Sequence, residues 1–225
     1  MHSYSIAVAL FDFLPVLISG YAMCRLARAI AARHRALAAV AWVAAALIPF
    51  GGACKASWKL IVATRGVEID WLQNLLFIAL APGFVAMAYG LRHARLAWRQ
   101  GIAPAAATDP RARLWLWLAL ALVGALAAAL LRPESRLWFF WLLGVTTVAN
   151  AALIVQAIAA SARAGLRWPM ACFAYNFLAT LALSGLSRLP PGEATAWIQE
   201  GVNTSAQAAL ALGAWRLSRH LLEAR

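Results

Sequence analysis

Lys55 and Lys59 are the two lysines of this 225-residue chain, and both lie inside an apolar segment. Four residues apart, they share one face of a helix. Asp12 sits in the first apolar segment. The last carries Glu200, Asn203, Thr204 and Gln207, spaced i, i+3, i+4 and i+7, one polar stripe on an otherwise apolar helix. Gln73 and Asn74 enter the third segment. Charge within a membrane segment is costly and marks a functional site by default. The lysines can hold an anionic group, and the amides can orient polar groups. Asp12, Lys55, Lys59, Gln73, Asn74, Glu200, Asn203, Thr204 and Gln207 are therefore the expected ligand-binding set. If the protein is an enzyme, Asp12 and Glu200 are the expected acid and base, a pairing that needs one of them protonated.

Other chemistries find no residues. HExxH, CxxC, GxSxG and P-loop patterns are absent from the sequence. Cys24, Cys54 and Cys172 fall in apolar runs without metal-ligand spacing. Neither a metal nor a cofactor is expected. His34, His93 and His220 read as basic flanks of apolar segments.

The elements that position these residues follow from composition. The chain is 64% hydrophobic and 12% charged, and its apolar runs reach the roughly 20 residues that span a bilayer. The pattern predicts an all-α integral membrane protein with seven transmembrane helices, near 5–24, 37–62, 70–91, 113–131, 137–160, 168–187 and 196–217. Pro49, Gly51 and Gly52 make a kink expected in the second. The net charge of +12 resides in arginines that flank the runs, so no nucleic acid is expected. Arg25, Arg28, Arg33, Arg35, Arg92, Arg95, Arg99, Arg111, Arg113, Arg163, Arg167, Arg216, Arg219 and Arg225 belong to one side; Arg65, Arg132, Arg136 and Arg188 belong to the other. The positive-inside rule then gives an N-terminus outside and a C-terminus in the cytoplasm, in an inner (plasma) membrane. Trp71, Trp138 and Trp197 begin helices at the outer side, while Trp98, Trp168 and Trp215 lie at the inner side, as an aromatic belt would place them.

An internal repeat is also expected. Asp70-Trp71-Leu72-Gln73 aligns with Ala196-Trp197-Ile198-Gln199, and Ala29-Ile30-Ala31-Ala32 with Ala157-Ile158-Ala159-Ala160. The chain then reads as one membrane domain over 1–225: a three-helix unit (1–92), a basic linker plus fourth helix (93–135), and a second three-helix unit (136–225). Both units start outside, so the repeat is parallel. This 3+1+3 order resembles in outline the SWEET-type sugar transporters and the heptahelical rhodopsins. No residue motif of either is present: there is no proline-glutamine loop signature, and the last helix has no lysine for a Schiff base. Nor does any motif of the lysoplasmalogenase-type membrane hydrolases carry across.

Counting the rise per residue puts Asp12 and Lys55 about 10 Å below the outer surface and Lys59 about 5 Å below it. The economical arrangement sets Asp12 and Glu200 against Lys55 and Lys59, with Lys59 also able to snorkel to the interface. Asn150, Tyr175, Asn176 and Thr180 can extend the polar lining inward. The leading expectation is an outward-facing charged cavity that binds or transports a small polar or anionic molecule or a lipid headgroup. The alternatives are a lipid-modifying enzyme and a non-catalytic sensor or subunit. The expected partners are membrane lipid, the small ligand, and a membrane protein docked on the basic segment 92–113.

Overall fold

The computed structural model describes residues 5–101, 109–190 and 192–223. Its helices are α1 (Ile6–Phe11), α2 (Phe13–Arg33), α3 (Ala38–Arg65), α4 (Asp70–Gln100), α5 (Arg111–Leu131), α6 (Leu137–Arg163), α7 (Arg167–Leu186) and α8 (Glu193–Glu223), with a short 3-10 turn at Arg35–Leu37. No strand occurs among the described residues. The first expected helix is split in two at Asp12. Pro15 explains the break: it has no N–H for the carbonyl of Phe11, and its ring crowds that turn. The second expected helix, by contrast, runs unbroken through Pro49 as α3. α3 and α4 end at Gly66 and Gly101, both at φ +65°, the left-handed cap that a Cβ would oppose.

Among the described residues, six stretches are long and apolar enough to cross a membrane: Ile6–Arg33, Arg35–Arg65, and the helices α4 to α7. They fit a multi-pass membrane protein. α8 is not among them, because Gln199, Glu200, Asn203, Thr204, Ser205 and Gln207 lower its hydropathy over the very stretch that would lie in the bilayer.

The packing makes a closed ring in the order α2, α3, α4, α6, α7, α8 and back to α2. α5 stands outside the ring, packed on α4 and α6. It is apolar all round and the least buried of the six spans, as expected of a helix that faces lipid on most sides. One end of the ring is tied by arginines: Arg25 Nε donates to Ser218 Oγ at 3.0 Å, and Arg33 Nε to the Leu221 carbonyl at 3.0 Å. At the same end the rings of His34 and His93 meet edge to face, as do those of Trp98 and His220. At the other end Phe11 packs on Trp197.

Small residues set the spacing of the ring. A Cβ on Gly51 would lie 2.8 Å from the Leu76 carbonyl oxygen and 3.1 Å from Ala79 Cβ. Gly51, one of the residues at which a kink is expected, is thus a place where α3 and α4 approach closely, a common device between membrane helices. Gly51→Ala must push backbone against backbone. It is expected to destabilise the protein by about 1–3 kcal/mol, the usual effect of overpacking, measured by thermal unfolding in detergent. Gly144, whose Cβ would meet nothing within 4 Å, is the control.

Candidate functional site

The break at Asp12 aims its carboxylate into the bundle, where Lys59 of α3 and Glu200 of α8 meet it. Lys59 Nζ lies 3.0 Å from Asp12 Oδ2 and 2.6 Å from Glu200 Oε1. All three residues are buried, with relative exposures of 7% for Asp12, 9% for Lys59 and 5% for Glu200. Burying charge is tolerated only with such partners. One ammonium thus joins three elements of the ring. The geometry differs from the sequence expectation in its detail: both acids take Lys59, which turns inward and does not snorkel. Lys55 makes no direct ion pair among the described residues.

Lys55 lies one turn deeper on the same face of α3. It is within electrostatic reach of Asp12, Lys59 and Glu200, and the part of its surface that is exposed faces an internal cavity of about 330 Å³. The four charges sum to zero, two carboxylates against two ammonium groups, which is how a bilayer interior can hold them. The cavity lies inside the ring. Asp12, Lys55, Asn203 and Gln207 line it from the expected set. Lys59, Glu200, Thr204, Gln73 and Asn74 do not. Lys59 and Glu200 form the clamp behind Asp12, and Gln73 and Asn74 are half-buried on α4 away from the lining. Asn150, Asn176 and Thr180 extend the lining, while Tyr175 points outward and pairs with Ser205.

Ser19 and the adjacent Thr146 and Thr147 of α6 also line the cavity, and sequence reasoning missed all three. Their only signal was a pair of threonines in an apolar run, which ordinary helix gluing explains equally well.

The hydrogen bonding of the lining has a direction. Ser19 donates to Val16 O, Thr147 to Leu143 O and Thr180 to Asn176 O, each on its own helix. Their hydroxyl protons are committed, so they offer the cavity only lone pairs. Asn176 donates its amide N–H to Ala206 O at 3.0 Å. Thr146 Oγ1 is buried with no hydrogen-bond partner, and Asn150 makes no side-chain hydrogen bond among the described residues. Lys55 supplies three donors and a positive charge. The cavity therefore presents the Lys55 ammonium, the Asp12 carboxylate that Lys59 neutralises, and lone pairs from the committed hydroxyls.

Among the described residues no group of three or more His, Cys, Asp or Glu could hold a metal ion. Cys24, Cys54 and Cys172 are free thiols. The fold and the site together define an all-helical, membrane-type bundle with a charged polar cavity at its centre. Compared with protein-family models, with curated proteins and with solved structures, the chain matches none.

Proposed function

We propose that the central cavity binds, and the bundle transports, a small anion that also carries hydroxyl or amine donors. The observation that carries this reading is Lys55, a cation that faces a cavity of about 330 Å³ without a direct counter-ion among the described residues. A purely structural ion pair would be closed on itself, as the Lys59 clamp is. The lone pairs of Ser19, Thr147 and Thr180 suit a ligand's own donors, and Lys55 suits its anionic group. The same arrangement gives catalysis less support: Glu200 is spent on Lys59 and lies outside the lining, so Asp12 has no second acid in the cavity.

The reading includes α8 as a seventh span. Glu200 is taken by Lys59, Gln199 donates to the Leu186 carbonyl, and Asn203 and Gln207 line the cavity, so the helix can cross the bilayer despite its lower hydropathy. The arginine distribution supports an N-terminus outside and a cytoplasmic C-terminus, in an inner membrane. The pairing of α2 with α8 and of α4 with α6 has the symmetry that a parallel three-helix repeat requires. A partner docked on segment 92–113 is a weaker reading. Residues 102–108 lie outside the described residues, and Arg111 is bound to Asp109 at 2.7 Å, which holds that exposed carboxyl below the usual range.

Native mass spectrometry of the purified protein tests the reading. A retained molecule of small mass carrying a carboxylate, sulfonate or phosphate is expected, and so is thermal stabilisation when that compound is added back. A protein that retains no small molecule, and that a panel of hydroxy acids, amino acids and sugar phosphates neither stabilises nor crosses with in proteoliposomes, contradicts it.

A further inference from the structure

A second concave site lies on the opposite side of α6 from the central cavity, where α5 packs against the outside of the ring. It is an open groove of about 430 Å³ between α4, α5 and α6. Val85, Trp117, Trp141 and Val148 give it an apolar body, and Trp117 and Val148 remain exposed at its rim. From Trp141 to Gln156 it follows α6 for roughly 22 Å, by the helical rise per residue.

The groove is held open by specific contacts. Trp141 Nε1 donates to the Ala121 carbonyl at 3.0 Å, and Gly124 leaves space for its ring, since a Cβ there would lie 2.6 Å from Trp141 Cε2. This fixes α5 against α6 at one end of the groove. The opposite end is polar. Arg92 lines it, exposed and without an ion pair among the described residues, beside Tyr89 and Gln156. Tyr89 donates to the Pro110 carbonyl at 3.1 Å and Gln156 accepts from Arg95 Nε at 3.0 Å, so both are anchored, whereas Arg92 has no such bond among the described residues. Arg113 stands within electrostatic reach of Tyr89 and adds to the positive field.

We infer that this groove is a binding site for one anionic phospholipid, with an acyl chain along Val85, Trp117, Trp141 and Val148 and its phosphate at Arg92. The argument is the match of two ends. A long apolar trough would suit any acyl chain, but the cation that lines it, Arg92, lies at the end of the bundle that carries most of the arginines. Basic pockets between membrane helices recognise acidic headgroups in this way. The site is independent of the central cavity: it uses other faces of α4 and α6, and its failure would leave the transport reading intact.

The test is competition for the purified protein between phosphatidylglycerol and phosphatidylcholine with identical acyl chains, read by native mass spectrometry. Wild-type protein is expected to retain phosphatidylglycerol at least about fivefold over phosphatidylcholine, the ratio that one arginine near an acidic headgroup provides. Arg92→Gln should bring the ratio close to one, and Arg92→Lys should restore it. Ala152→Phe, which fills the groove, should lower retention of both lipids in protein that still elutes as a folded species. Glycerol phosphate, which has the charge without the chains, should not displace bound lipid. Equal retention of the two lipids by wild type, an unchanged ratio in Arg92→Gln, full retention by folded Ala152→Phe, or displacement by glycerol phosphate would each overturn the assignment.

Discussion

Lys59→Met is expected to be the most destabilising single substitution in the protein. The methionine matches the length of the lysine stem but removes the one charge that Asp12 and Glu200 share at 3.0 and 2.6 Å. Two buried carboxylates then face each other with no direct counter-charge, and breaking a buried ion pair on one side costs about 3–5 kcal/mol. The effect should also be non-additive. Asp12→Asn or Glu200→Gln alone leaves Lys59 one carboxylate and should be milder. The triple variant Asp12→Asn, Lys59→Met, Glu200→Gln should recover much of the loss, because replacing a whole buried charge cluster is often close to neutral. Unfolding in detergent, followed across these variants, checks the pattern. A Lys59→Met protein within about 1 kcal/mol of wild type would mean that the clamp does not hold α1–α2, α3 and α8 together.

That Asp12, Glu200 and the lysines would converge was legible in the sequence, for a reason of solvent physics: lipid cannot satisfy them, so each must turn inward, and their depths agree within about two helical turns. Which lysine meets the acids was not legible. Lys55 and Lys59 share a face, and the choice between them depends on where the break before Pro15 sets Asp12 along the bundle, which is fixed by tertiary packing and not by residue spacing. Helix starts were readable from hydropathy. Helix ends were less so: α2 continues to Arg33 and α4 to Gln100, well past the apolar runs. Alanine and arginine are good helix formers, so the hydrogen-bonded spiral outlasts the hydrocarbon-facing stretch. The cavity lining was readable in part. Asn150, Asn176 and Thr180 were named from polarity alone, but Thr146 and Thr147 join them only because the ring places α6 across the cavity from α2. Gln73 and Asn74 were named by the same criterion, yet the rotation of α4 sets Leu76, Phe77 and Leu80 against the cavity in their place.

Lys55→Met should separate ligand binding from stability. Among the described residues Lys55 has no direct ion pair to lose, and it is half-buried at the cavity wall, so the variant is expected to unfold within about 1 kcal/mol of wild type. Binding should respond in the opposite way. A charge-assisted contact to an anionic group contributes about 1.5–3 kcal/mol, so affinity for the retained ligand should fall about 10- to 100-fold. Lys55→Arg keeps the charge but spreads it over a larger, planar group in a cavity of about 330 Å³, and should restore affinity only in part. Lys59→Met supplies the contrast, since its damage to binding should follow its loss of folded protein. Ligand-dependent thermal shift and proteoliposome uptake, measured on both lysine variants, give the two readouts. If Lys55→Met binds as wild type does, the uncommitted ammonium is a spectator and the cavity reading is wrong. If Lys55→Met instead unfolds as readily as Lys59→Met, the two lysines form one structural cluster whose long-range pairing with Asp12 and Glu200 outweighs the absence of a direct contact.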